Sequence, residues 1–199
     1  MSDPADPIAR ARSIASTDEA AAVYRDWAAQ YDDDVFTTLG FTGSARIAEL
    51  LVAELVSRDD PVLDLGCGTG AVGARLHELG VTTIDGVDLS PEMLDVARAK
   101  GVYRELWTAD LTAPVVIDQP YTASISAGTF TSGHVGASAV PALLHLVEPG
   151  GLVAWVIGLA AWPSFGAALR ERGVELLHCS VEAIRRDGPP EGVMVVGRR

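Results

Sequence analysis

Positive charge is scarce in this sequence: 15 lysines and arginines stand against 27 acids, giving a formal net charge of −12 and a pI near 4.6, and Lys100 is the lone lysine. Such a chain repels a polyanion except at a local basic patch, and Arg185-Arg186 and Arg198-Arg199 are the only adjacent basic pairs, so nucleic acid is set aside as a partner. Cysteine is scarcer still. Cys67 and Cys179 lie far apart with no metal-ligand neighbours, which excludes a disulfide framework, fits a reducing cytoplasm and leaves no metal site. The four histidines, His77, His134, His145 and His178, include no pair at metal-ligand spacing. Long apolar runs are also missing. Hydrophobic residues make up 48% of the chain but are spread along it, so no membrane span and no membrane partner are expected. The Asp- and Ala-rich N-terminus lacks the apolar core of a secretory signal, which again points to a cytoplasmic location.

What is present is enough for one full core: 199 residues should bury roughly 70% of the surface their unfolded chain exposes. A single domain over 1–199 is expected, with 1–43 as a tail and helical cap and 44–199 as the core. The two Asp-Pro steps before Pro7 read as loose chain. A helical pattern then runs from about Ile8 to Tyr31, broken near Ser16-Thr17-Asp18, and its second part carries Val23, Trp27 and Tyr31. Asp32-Asp33-Asp34 reads as a solvated turn. Ile47, Leu50, Leu51 and Leu55 recur at helical spacing, and the Asp59-Asp60-Pro61 break delivers the chain into its central feature.

That feature is Val62-Leu63-Asp64-Leu65-Gly66-Cys67-Gly68-Thr69-Gly70. Branched apolar residues around an acid predict a buried parallel strand, and the glycines that follow permit a tight turn with bare backbone against a ligand. A helix from Ala71 to Leu79 follows, then a strand over Ile84–Val87 and a helix capped by Ser90 with Pro91 in its first position. Further strands are predicted at Tyr103–Trp107, Tyr121–Ser126, Leu152–Ile157, Val174–Cys179 and Gly192–Gly197, with helices at Ala139–Val147 and Pro163–Arg172. Strands alternating with helices make an α/β domain with a mostly parallel sheet, whose ligands bind at the C-terminal ends of the strands.

Residues with chemistry recur at those ends. Gly66 and Gly68 offer close backbone approach, Asp88 stands about 20 residues on, where a carboxylate accepts from ribose hydroxyls, and Asp110 is placed to accept from an adenine amino group. Leu89, Met93 and Leu111 would wall the ring. Two acids and no basic phosphate clamp suit a nucleoside better than a dinucleotide. Asp64 either holds the glycine loop or meets a ligand ammonium. Cys67 has nothing nearby in sequence to activate it as a nucleophile. His134 is the histidine in a plausible acceptor position, as a general base.

Asp64-Leu-Gly-Cys-Gly-Thr-Gly, followed by Gly86-Val-Asp-Leu-Ser-Pro-Glu-Met-Leu, resembles motifs I and II of the class I S-adenosylmethionine-dependent methyltransferases, and the likeness covers nearly the whole chain. Tyr24-x-x-Trp27-x-x-x-Tyr31-Asp32 and Ser126-Ala-Gly-Thr-Phe-Thr-Ser-Gly-His-Val-Gly136 are similar to the Williams-Beuren-region methyltransferase-like group. The resemblance implies a Rossmann-like seven-stranded sheet of order 3-2-1-4-5-7-6, strand 7 antiparallel, with helices on both faces and an N-terminal helical cap. It implies S-adenosylmethionine as cofactor, held by Tyr31, Asp64, Gly66, Cys67, Gly68, Asp88, Leu89, Met93, Asp110, Leu111 and Ser126, with Tyr24, Trp27 and Phe130 toward the substrate. Many relatives carry further polar residues where this chain has Ser126-Ala127-Gly128. The expected activity is methyl transfer to a small-molecule acceptor by a monomer or homodimer. A cofactor-binding module without catalysis and a nicotinamide-dependent oxidoreductase are the alternatives.

Overall fold

In the computed structural model, residues 17–118, 120–131 and 134–199 are described; the helix expected from Ile8 to Ser16 lies outside them. A seven-stranded sheet in the order β3-β2-β1-β4-β5-β7-β6 organises the chain. Its strands are β1 Val62–Leu65, β2 Ile84–Asp88, β3 Glu105–Thr108, β4 Tyr121–Phe130, β5 Val147–Gly158, β6 Glu175–Ala183 and β7 Pro190–Arg198. The first five pair in parallel, and β7 runs antiparallel to both β5 and β6. The sheet order and the reversed seventh strand are those the resemblance implies.

Alternation along the strands divides the core in two. Val62, Ala123, Ile125, Leu152, Ala154, Met194 and Val196 face one side, where α2 (Gly43–Glu54) and α3 (Ala71–Glu78) contribute Ile47, Leu51, Val72 and Leu76. Their neighbours Leu63, Leu65, Val153, Trp155, Val193 and Val195 face the other, against α5 (Val140–His145) and α6 (Trp162–Glu171), which bring Leu143, Leu144, Phe165 and Leu169. Asp85 is fully buried in β2, and its carboxylate is matched by the Arg104 guanidinium, the Glu105 N–H and the Tyr121 hydroxyl, the pairing a buried charge requires.

Several boundaries differ from expectation, each for a local reason. The N-terminal helix α1 (Thr17–Trp27) stops before Tyr31, and a π-helical turn spans Asp33–Thr38. The acidic run beside it is helical rather than a turn and only partly solvated. Asp32 takes hydrogen bonds from Thr69 and from Lys100 Nζ at 2.7 Å, and Asp34 accepts from Trp27 Nε1 at 2.6 Å, so two of the three acids fasten the N-terminal segment while remaining partly exposed. The segment is tied at its far end by Thr42 N–H to Ile184 O and Arg186 N–H to Gly40 O, each 2.8 Å. The predicted helix over Ala139–Val147 begins as a 3-10 turn at Ala137–Ala139 and ends at His145, because Val147 already pairs with Tyr121 in the sheet.

β4 runs four residues past the predicted Ser126. It pairs Ser126 with Trp155 and next Phe130 with Ile157, so Ala127, Gly128 and Thr129 form a bulge, with Gly128 at φ +86°. Bulges re-aim side chains beside functional sites. This one turns three residues toward the strand ends and returns Phe130 to the sheet.

Candidate functional site

The glycine turn is built on β1 and β2. Gly66 and Cys67 donate backbone N–H groups to Val87 O at 2.8 and 3.0 Å, and Gly66, Gly68 and Gly70 all have positive φ, a region that only glycine enters freely. A Cβ at Gly66 would lie 2.9 Å from Thr129 Cγ2, whereas one at Gly68 or Gly128 would meet no atom within 4 Å. The backbone at those two positions therefore borders open space.

That space is a cavity of about 230 Å³. Asp88 enters it from the end of β2, with Oδ2 accepting from Gly68 N–H at 2.8 Å and Oδ1 from Ser90 N–H at 2.9 Å. Each oxygen keeps a lone pair for a ligand hydroxyl. Burial raises the Asp88 pKa, opposed by the N–H bonds from Ser90 and Gly68. Ser90 also caps α4 (Pro91–Ala99), accepting from Met93 N–H at 3.3 Å, and so aims Leu89 and Met93 at the same cavity. Asp110 stands across from them after β3, its Oδ1 taking the N–H and hydroxyl of Thr112 at 2.8 and 2.6 Å. Leu111, Ala109 and Val135 complete an apolar wall, and the bulge residues Ala127, Gly128 and Thr129 lie beside Gly66.

The N-terminal segment closes the cavity with Tyr24 and Tyr31. Their rings belong to an aromatic cluster: Trp27 meets Tyr31 edge-on at 4.7 Å between centroids, and Tyr24 lies 6.2 Å from Tyr31. Burial first, then neighbouring Tyr31 and Asp88 for Tyr24, and Asp88 and Asp32 for Tyr31, raise both phenol pKa values well above the ordinary range. Both hydroxyls stay protonated. His134 lines the cavity beside Tyr24, with Nε2 at 2.9 Å from Tyr24 Oη and Nδ1 at 2.9 Å from Thr131 Oγ1.

Of the residues singled out from sequence, Tyr24, Tyr31, Gly66, Gly68, Asp88, Leu89, Met93, Asp110, Leu111 and His134 meet around this one cavity. Five others do not line it. Phe130 is fully buried, packed on Trp155 and Phe165 at 5.0 and 5.2 Å between ring centroids, because the bulge restores its inward register. Trp27 is 5% exposed and spends its indole N–H on Asp34. Ser126 is buried, donating to Leu65 O at 2.7 Å. Asp64 lies beneath the turn, accepting from Tyr103 Oη at 2.7 Å, while its Oδ1 has no hydrogen-bond partner among the described residues. Burial raises its pKa to about 7, partly offset by the Tyr103 bond. Cys67 is buried beside it, its thiol pKa pushed far up, first by burial and then by Asp64 and Asp88, which rules out a ready thiolate.

Sequence reasoning missed Tyr103, whose hydroxyl supports both Asp64 and the Gly73 N–H, and Thr131 beside His134. Thr131 stood inside the quoted run without a role, and Tyr103 gave no signal because its partners are 39 and 30 positions away. Among the described residues no group of three or more His, Cys, Asp or Glu is arranged to hold a metal ion.

Residues 62–151 match a family described as a methyltransferase domain. Human methyltransferase-like protein 27 is 36% identical over 134 residues, which is 65% of this chain and 54% of that protein. The chain thus spans about half the length of the curated relative it matches. Among solved structures, a TehB-like S-adenosylmethionine-dependent methyltransferase from Corynebacterium glutamicum superposes with a TM-score of 0.68 at 19% identity, over 88% of this chain and 97% of that one. DhpI in complex with S-adenosylhomocysteine does so at 0.66 and 19%, over 92% and 97%. At these identities the structures speak for the fold. Residues 62–151 are thus similar to a methyltransferase domain, and the chain shares the fold of the solved S-adenosylmethionine-dependent methyltransferase it superposes on.

Proposed function

We propose that this chain binds S-adenosylmethionine in the 230 Å³ cavity and directs its methyl group to a small-molecule acceptor. The observation that carries the reading is the convergence of Asp88 and Asp110 on one cavity floored by bare glycine backbone. Asp88 is held by two N–H donors in position to receive two ribose hydroxyls, and Leu89, Met93 and Leu111 flank the place where a purine would lie against Asp110. Among the described residues no lysine or arginine lines the cavity. A dinucleotide's pyrophosphate would find no cation there, whereas a sulfonium meets no like charge and faces the rings of Tyr24 and Tyr31.

When bound, the cofactor supplies a methyl group on a good leaving sulfur. The residues need only align an acceptor with it and exclude water, and alignment alone can supply about 7–11 kcal/mol. Tyr24 and Tyr31 do the covering, fixed through Asp32 to Thr69 and Lys100. A cavity of this size under a fastened segment favours a small acceptor over a macromolecule. The net charge of −12 argues against nucleic acid, and two unpaired cysteines, Cys67 and Cys179, favour the cytoplasm. Among the described residues no helix is long and apolar enough to cross a membrane. The assembly proposed is a monomer or homodimer.

The test is calorimetric binding of S-adenosylmethionine and S-adenosylhomocysteine to the wild type, to Asp88→Ala and to Asp110→Ala. Loss of measurable binding in the first variant and at least tenfold weakening in the second are expected. Unchanged affinity in both overturns the assignment.

A further inference from the structure

Three side chains from two distant parts of the sequence form a hydrogen-bonded row at the cavity rim. Thr131 Oγ1 lies 2.9 Å from His134 Nδ1, and across the ring His134 Nε2 lies 2.9 Å from Tyr24 Oη. Tyr24 and His134 line the cavity; Thr131 acts on it through His134. The tautomer follows from the chemistry of the neighbours. A phenol O–H is a strong donor and its oxygen a weak acceptor, and Tyr24 keeps its proton because burial, then Tyr31 and Asp88, hold it there. Tyr24 therefore donates to the Nε2 lone pair, and Nδ1–H donates to Thr131 Oγ1.

We infer that Tyr24, His134 and Thr131 form a proton-accepting relay, and that the methyl acceptor is a neutral protic nucleophile, a hydroxyl or an amine, whose proton this relay removes. The inference rests on the function proposed above. A lone pair of the acceptor's oxygen or nitrogen forms the bond to the methyl carbon, and the carbon–sulfur pair stays with sulfur. The acceptor's proton passes to Tyr24 Oη while the proton of Tyr24 moves to His134 Nε2. Tyr24 begins and ends as a phenol. His134 becomes an imidazolium with its second N–H on Thr131, then releases its proton to water. One positive charge leaves sulfur as one appears on the imidazole, so the total charge of a largely desolvated site does not change. An anionic acceptor would need no relay, and beside the sulfonium it would find two acids, Asp88 and Asp110, and among the described residues no lysine or arginine lining the cavity. Thr131 is a positioning residue, and Tyr24 and His134 are the catalytic ones.

Among the described residues, Tyr24 contacts His134 directly, and the other titratable groups lining the same cavity are Tyr31 from the N-terminal segment, Asp88 from β2 and Asp110 from the segment after β3. The experiment is nitrogen NMR of the full chain labelled at histidine, alone and saturated with S-adenosylhomocysteine, with His134→Gln identifying the signals of His134 among the four histidines. Expected near neutral pH are a bare Nε2 and a protonated Nδ1. Tyr24→Phe, which keeps the ring and drops the donor, should move the His134 titration midpoint upward, because neutral imidazole loses its partner. Thr131→Val should enrich the other tautomer. Phenol as a neutral probe should shift the His134 signals in the cofactor-product complex, and benzoate should not. A proton on Nε2 in the wild type, a midpoint unmoved by Tyr24→Phe, or a response to benzoate or to neither probe overturns the relay. Absence of S-adenosylhomocysteine binding to the wild type instead overturns the function it rests on, while the tautomer of the ligand-free protein still decides the relay.

Discussion

Replacing Asp64 by Asn should change how stability depends on pH, and the structure sets both sign and size. Asp64 is fully buried, one oxygen receives the Tyr103 hydroxyl, and the other has no partner among the described residues. Its pKa rises from 3.8 to about 7, chiefly through burial. The folded state then keeps a proton that the unfolded chain releases near its ordinary value, so the folded state binds more protons between about pH 4 and about pH 7 and stability falls as pH rises through that window. A gap of about three units corresponds to roughly 4 kcal/mol in full, of which about 2–3 kcal/mol lies between about pH 5 and about pH 8. Asn carries no titrating proton, and Asp88, also raised, is common to both proteins. Urea unfolding of the ligand-free wild type and the Asp64→Asn variant across that range should show the wild type losing ground by this amount as pH increases. A difference independent of pH, or a wild type that gains, would refute the placement of a protonatable acid under the glycine turn.

Other substitutions separate the parts of the site. Gly66→Ala must place a Cβ against Thr129 at a φ of +69° and should cost about 3 kcal/mol or more in urea unfolding, against about 1–2 kcal/mol for Gly80→Ala, where a Cβ meets nothing within 4 Å; equal costs would remove the close approach from the explanation. Phe130→Ala, in the core rather than on the substrate side, should lose about 3–5 kcal/mol of stability while the folded fraction binds S-adenosylhomocysteine with near wild-type affinity. Asp32→Ala breaks a part-exposed pair and should cost less than about 1 kcal/mol. It should still speed both hydrogen exchange over residues 17–42 and S-adenosylhomocysteine release in stopped-flow chase, and unchanged protection would show that Asp32 does not fasten the segment.

Local chemistry determined much of this protein. Branched apolar residues before Gly66 make a buried strand wherever they fold, positive φ at Gly66, Gly68 and Gly70 demands glycine, and Ser90-Pro91 starts a helix through its own cap and ring geometry. Spacing alone then carried Asp88 and Asp110 to neighbouring strand ends, since right-handed parallel crossovers leave those ends on one edge. What the sequence could not determine depended on a partner far along the chain or on register. Phe130 belongs to the core because a three-residue bulge, set by pairing with β5, restores its inward direction, and a one-residue change in such pairing would have sent it to the site. Asp32 and Asp34 read as a solvated run until Thr69, Lys100 and Trp27 supply their donors. Tyr24 and His134, 110 positions apart, became neighbours only once the N-terminal segment lay across the strand ends, because a hydrogen bond depends on distance in space and the chain's order says nothing of that until the sheet has formed.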